Sequence, residues 1–267
     1  MSLTSSDLAA YGKDGYVFVP SLFSEKEVEL LRQEAQKILA KGHPGVFFEK
    51  DGVTPRSIWN PQSYSDVFHR FVRHPRLVGA AMQLLNSPVY VFQMLLNYKA
   101  PFAGDVWWWH QDFPTYYADD GIASPRMVNC VLFVDEVNEF NGPLMLVPGS
   151  HLVDLGIPER TAQGTSYTAR YSGDADVRRL VLENGLVAPK GPPGCVNFLH
   201  TNVLHGSTSN MSPWRRAIIT LTYNSIDNIP TKQSDRGAAI VPSDSSPIQP
   251  LDDGCLRVEA SKSGPQA

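Results

Sequence analysis

The tripeptide His110-Gln111-Asp112 sets an imidazole and a carboxylate two positions apart, directly after Trp107, Trp108 and Trp109. In an extended strand side chains alternate faces, so His110 and Asp112 point the same way and Gln111 the other. Two metal ligands are thereby prearranged. A distant histidine, for which His205 is the candidate, completes a set of two His and one carboxylate on one side of a metal. Such a facial set leaves the opposite coordination positions open and is the arrangement of non-haem Fe(II) oxygenases, where O2 and a cosubstrate enter. Arg216, eleven residues after His205, adds a planar fork of donors that matches a carboxylate bidentately and suits the distal carboxylate of 2-oxoglutarate.

An H-x-D tripeptide alone is a weak signal that chance supplies in many proteins. Its weight here comes from the strand-like residues before it, the largely apolar run Val196 to Leu204 ahead of His205, and the arginine downstream. His43, His151 and His200 compete as ligands, while His69 and His74 lie in helix-like sequence beside Arg70, Arg73 and Arg76, where solvated or capping roles are expected. Arg215 and Arg216 face opposite ways in a strand. Arg216, Ile218, Thr220 and Thr222 share one face and Arg215, Ala217, Ile219 and Leu221 the other, so alternation does not choose between the two arginines. Asn129 sits inside an apolar run, where an unpaired amide is costly, so it must find a partner in the core or in a pocket.

The elements that must position these residues divide the chain. Thr4 with Asp7, and Ser24 with Glu27 ahead of Val28, Leu31, Ala35 and Ile38, read as helix starts, and Gly42 as a stop. Ser63 to Asn86 reads as helix split at Pro75, with Phe68, Phe71 and Val72 forming an apolar stripe. From Val89 the character changes. Val89 to Lys99, Met127 to Val134, Leu144 to Val147, Cys195 to His200 and Ala217 to Tyr223 are rich in β-branched, aromatic and large apolar residues and are punctuated by Gly, Pro, Asn and Asp. Strands without regular helices between them favour an antiparallel sandwich or barrel. The expected fold is therefore mainly β, a double-stranded β-helix (jelly roll, cupin-like) with flanking N-terminal helices. The whole chain, 1–267, reads as one domain: a helical part over 1–88, a jelly-roll core over 89–228, a candidate lid over 152–193 and a loose tail over 229–267.

Bulk properties narrow the partners. A hydrophobic content of 42% supports a buried core, and 23 Lys+Arg against 27 Asp+Glu give no basic field for a nucleic acid or an anionic membrane. A small-molecule substrate fits better; nothing in the sequence speaks to oligomeric state. Cys130, Cys195 and Cys255 are odd in number and widely spaced, which favours reduced thiols and a cytoplasmic protein. Met1 to Ala10 lacks a basic region followed by an apolar core, and no run approaches the roughly 18 apolar residues of a spanning helix, so no membrane partner is expected.

His110-Gln111-Asp112, Asn141-Gly142-Pro143-Leu144, Pro148-Gly149-Ser150-His151 and His205-Gly206-Ser207, followed by Asn210, Pro213 and Arg216, together resemble the phytanoyl-CoA dioxygenase superfamily of Fe(II)/2-oxoglutarate oxygenases. The likeness runs roughly from Leu8 to Asn228. Glu49-Lys50-Asp51-Gly52 with Arg56, Arg73-His74-Pro75-Arg76-Leu77, Gly104-Asp105-Val106-Trp107 and Thr222-Tyr223-Asn224 are most similar to hydroxylases of free amino acids, notably L-proline and L-leucine, and next to ectoine hydroxylase. The resemblance implies Fe(II), 2-oxoglutarate and O2, with His110, Asp112 and His205 as the iron ligands. It also implies that Arg216, helped by Ser207, anchors 2-oxoglutarate, which leaves Arg215 outward. Gln93 is an implied cosubstrate contact, Asn129 is an expected one from its polar place in an apolar run, and Arg56, Gln93, Trp109 and Phe113 are the expected substrate contacts. One position departs from the pattern. Leu95, in Gln93-Met94-Leu95-Leu96-Asn97, stands where proline and leucine hydroxylases carry lysine, which points to a larger or less acidic substrate.

The expected activity is hydroxylation of an unactivated C–H bond of a small molecule, a free amino acid or a metabolite derived from one. A same-fold desaturase or halogenase is the nearest rival, but a halogenase vacates the carboxylate position that Asp112 fills. A non-catalytic metal-binding jelly roll would have no use for Arg216. A nucleic-acid or protein demethylase would want a basic groove.

Overall fold

The computed structural model describes residues 2–161 and 169–257. Helix α1 (Ser5–Asp14) opens at a reciprocal Thr4/Asp7 capping box, strand β1 (Tyr16–Val19) follows, and α2 (Glu25–Ala40) opens at the Ser24/Glu27 box. Each cap satisfies backbone donors that the first turn leaves unpaired, a contribution of about 1 kcal/mol per helix. Strands β2 (Val46–Phe48) and β3 (Pro55–Trp59) precede α3 (Asp66–Phe71) and α4 (Pro75–Leu85). Pro75 does split this region. It occupies the first turn of α4, where its missing N–H costs nothing, and His74 caps the helix from a fully buried position.

The second half supplies β4 (Val89–Lys99), β5 (Trp107–His110), α5 (Phe113–Asp120), β6 (Met127–Phe133) and β7 (Leu144–Leu146). Then come the two-residue strands β8 (Arg160–Thr161) and β9 (Ala169–Arg170), helix α6 (Asp174–Asn184), β10 (Val196–His200), β11 (His205–Ser207) and β12 (Arg216–Ser225). Apart from the two-stranded pair β8–β9, the strands form two antiparallel sheets among the described residues. The larger runs β1-β10-β6-β12-β4-β3-β2 and the smaller β5-β11-β7, the two-layer jelly roll expected from the strand pattern. Period-2 alternation assigns the faces of the large sheet. Met94, Leu96, Cys130, Leu132, Ile219 and Leu221 pack with Val28, Leu31, Phe68, Phe71, Leu77 and Val78 of the helices in one core. Gln93, Leu95, Asn97, Asn129, Val131, Ile218 and Thr220 point the other way, into a cavity between the sheets.

Three features differ from the sequence expectation. The N-terminal part is not purely helical, because β1, β2 and β3 supply three strands of the large sheet. They run three to five residues, too short for a clear period, and are held by partners far away in sequence, such as Val17 opposite Phe198. The tail over 229–257 is not loose cover: Asn60 donates to the Ala239 carbonyl (2.8 Å), Ile248 N–H to Val89 (2.8 Å), and Leu256 is 1% exposed. The candidate lid is partly built in, since Leu180 of α6 is fully buried against Val147 and Leu204; its residues 162–168 lie outside the described residues. Among the described residues no helix is long and apolar enough to cross a membrane.

Candidate active site

His110 and His205 stand directly opposite each other in the β5–β11 ladder, with ring centroids 4.2 Å apart. Ser207 pairs with Trp107, so three steps along β5 match two along β11. This bulge shifts the phase of β5, and Trp107 and His110 both line the cavity although they are three residues apart. The strand ends at His110. Asp112 is helical (φ −75°, ψ −41°) and forms the N-cap of α5, in the first turn of which lies Pro114, so the expected alternation along an extended H-x-D segment does not hold. The carboxylate reaches the histidines by a turn. Its backbone N–H is held by the Thr201 carbonyl at 2.9 Å, and Gln111 donates to Asn202 at 2.6 Å, which ties the tripeptide to the loop leading into His205.

The result is a cluster in which one ligand atom each of His110, Asp112 and His205 lies within 4.8 Å of the others. His110 Nε2 is 3.5 Å and His205 Nε2 3.9 Å from the two Asp112 oxygens. Each Nδ1 faces a backbone carbonyl, Trp108 at 2.6 Å and Val203 at 2.8 Å, which assigns the proton to Nδ1 and leaves the Nε2 lone pairs for a metal. Asn129 Nδ2 donates to Asp112 Oδ2 (2.6 Å), and its own oxygen accepts from Thr222 (2.7 Å), so the amide that sequence reasoning required to find a partner orients the carboxylate. Burial pulls the His205 imidazole down to about 4, with His110 adding to the effect. Burial pushes the Asp112 carboxyl up, but His205, His110 and Asn129 outweigh it and hold the group at about 2. Burial likewise opposes a charged His110, and Asp112 overcomes it and raises the imidazole. An ionised carboxylate and a neutral His205 are in ligand form at neutral pH, and on His110 a metal competes with the proton that Asp112 favours.

Arg216 lies on the inward face of β12, and Arg215 points out to Asp135 at 3.0 Å with its side chain 43% exposed. The Arg216 guanidinium is 2% exposed and donates to the Gly142 carbonyl through Nε (3.2 Å) and Nη2 (2.7 Å). Its Nη1 is buried with no protein partner, as is Ser207 Oγ. Burial, opposed by Asp135, lowers the guanidinium to about 9, still cationic at neutral pH. Two orphaned donors in the cavity that holds the metal cluster are suited to a carboxylate.

Sequence reasoning misplaced three substrate contacts. Arg56 is spent on Glu49 (2.8 Å) and the Val106 carbonyl and stacks on Trp107 at 4.2 Å, so it braces a residue of the cavity wall without itself lining the cavity. Trp109 is turned by the bulge into the cluster around Val147, Leu180 and Leu204. Phe113 packs against the cluster around Tyr116 and lines a separate groove beside Gln111 and Tyr117, outside the cavity lining. Gln93 lines the cavity as expected, with Nε2 donating to the Tyr116 hydroxyl at 3.0 Å. Sequence reasoning did not single out Trp59, Tyr116 and Arg236, which line the cavity, or Asp120, which pairs with Arg236. Pro114 and Gly121 bracket α5 and could have signalled Tyr116 and Asp120. Arg236, which pairs with Asp120 (3.0 Å) and Gln93 (3.1 Å) in the cavity, carries no local signal.

The family model described as phytanoyl-CoA dioxygenase matches residues 11–218, most of the chain. The chain belongs to this family. It is 35% identical over 254 residues to L-proline trans-4-hydroxylase of Streptomyces griseoviridis, covering 91% of this chain and 94% of that protein. It is 36% identical over 239 residues to ectoine dioxygenase of Bordetella bronchiseptica, covering 85% and 77%. A crystal structure of EctD from S. alaskensis with 2-oxoglutarate and 5-hydroxyectoine superposes with a TM-score of 0.83 at 30% identity, covering 95% of this chain and 89% of that one, and EctD has also been crystallised with bound Fe. Among members of the phytanoyl-CoA dioxygenase family, then, hydroxylases of small molecules are close relatives of this chain.

Proposed function

We propose that the chain is an Fe(II)- and 2-oxoglutarate-dependent dioxygenase that hydroxylates an unactivated C–H bond of a small molecule, a free amino acid or an amino-acid-derived metabolite. The observation that carries this reading is the meeting in one cavity of the His110, Asp112, His205 cluster with the orphaned donors of Arg216 and Ser207. The donor set fits Fe(II) and the orphans fit the cosubstrate carboxylate. When bound, the metal and cosubstrate supply the activation of O2. The protein does the rest: His110 and His205 present Nε2, Asn129 holds Asp112, and Arg216 neutralises and orients a carboxylate. The reduced thiols Cys130 and Cys195, both buried, suit a cytoplasmic setting. Succinate release with iron and 2-oxoglutarate across a panel of amino acids and cyclic derivatives, followed by product mass, tests the reading. No succinate above the substrate-free level with any member, or a product without one added oxygen, would sink it.

Substrate recognition in this reading falls to Gln93, Arg236 and the apolar wall of Leu95, Trp59 and Trp107. Asp120 steers the Arg236 fork, and a charge-assisted contact from it to a substrate carboxylate would be worth about 1.5–3 kcal/mol. Arg236→Lys keeps a cation beside Asp120 but loses the fork. It should raise the substrate KM about tenfold or more while the 2-oxoglutarate KM stays within about twofold. Equal shifts in both constants would remove Arg236 from the substrate side.

A further inference from the structure

Lys99 closes β4 and stands directly across the ladder from Arg216. It is 1% exposed, and lysine is almost never so buried without a dedicated partner. Its Nζ donates to two backbone carbonyls, those of Asp105 and Thr208. Asp105 lies two residues before Trp107 on the path into β5, and Thr208 follows Ser207 at the end of β11. The stem packs on Gly142, which has φ +73°; a Cβ there would stand 2.8 Å from Lys99 Cδ and 2.7 Å from the Thr208 carbonyl oxygen. Gly142 in turn offers the carbonyl that accepts both Nε and Nη2 of Arg216. An unbroken line of contacts thus joins Lys99 to the guanidinium through a glycine that no larger residue could replace without displacing the Lys99 stem or the Thr208 carbonyl.

We propose that Lys99 is a positioning residue for the cosubstrate: its stem sets Gly142, whose carbonyl aims Arg216, and its nitrogen clamps together the segments that carry Trp107 and Ser207. This rests on the reading of Arg216 as the 2-oxoglutarate anchor. Burial, with Arg216 and Arg56 adding to it, pulls the Lys99 ammonium down to about 6. Charged or neutral, the nitrogen is held by two carbonyls, and Arg216 is the cation that meets the ligand.

Lys99→Met keeps the length of the stem and deletes the donor. A partner one contact removed from a ligand typically changes affinity 10- to 100-fold, so the 2-oxoglutarate KM should rise about tenfold or more. The substrate KM, to which the clamped Trp107 segment contributes, should rise less than the 2-oxoglutarate KM, and kcat with both saturating should stay within about twofold. Calorimetric titration of 2-oxoglutarate into Mn(II)-loaded protein should show the same loss of affinity without turnover. Lys99→Gln, which retains one N–H donor pair, should recover part of it, and carries the comparison by itself if the Met variant does not fold. A lowered Tm with 2-oxoglutarate Kd within about twofold of wild type would overturn the proposal and leave Lys99 as a strut of the fold. If Arg216→Lys also left that Kd unchanged, the anchor reading itself would fall.

Discussion

Replacing Asp112 or His110 by alanine is expected to abolish turnover and to weaken metal binding by orders of magnitude. A facial site with a ligand missing loses both affinity and geometry, and removing Asp112 also leaves Asn129 Nδ2 buried without its acceptor. Calorimetric titration with Fe(II) or Mn(II), beside circular dichroism to establish folding, measures the effect; either variant keeping most of its activity at limiting iron would show that the cluster is not the metal centre. The pH dependence has a definite sign. Asp112 keeps the His110 imidazole protonated above its ordinary range, whereas His205 sits at about 4 and Asp112 at about 2. A metal competes with the His110 proton, so affinity should fall as pH drops through the raised His110 value, by one proton at first. Below about 4 His205 joins and the fall should steepen.

Arg216→Ala should raise the 2-oxoglutarate requirement by two orders of magnitude or more, and Arg215→Ala should leave it nearly unchanged. Truncating one partner of a buried charged contact costs about 3–5 kcal/mol, against about 0–1 kcal/mol for an exposed ion pair such as Arg215 with Asp135. The 2-oxoglutarate KM of both variants, together with Kd on Mn(II)-loaded protein, decides the matter. The reverse order would place the anchor on the outer face of β12. Arg216→Ala at saturating 2-oxoglutarate should regain part of its kcat, because the metal ligands are left in place.

The type of site was legible in the chain because it depends on residue identity and spacing: His110, Asp112, His205 and Arg216 bring their own chemistry wherever the backbone takes them. The strands that carry them were legible too, since Val89–Lys99 and the run from Met127 declare themselves by apolar, β-branched composition and by their turns. Orientation was not. Alternation separates Arg215 from Arg216 but is blind to which face is covered; that was decided when α2, α3 and α4 buried Ile219 and Leu221 and so turned Arg216 toward the other sheet. The bulge that brings Trp107 and His110 to one wall and carries Trp109 away is a mismatch between two strands, a property of neither alone. Arg56 falls outside the cavity lining and Arg236 comes into it for the same reason. Glu49 claims the first, and Asp120, more than a hundred residues away, draws the second out of a polar tail into the cavity. A guanidinium pairs with whichever carboxylate folding desolvates beside it, and for a pair so far apart in the chain only the packed structure brings that carboxylate within reach.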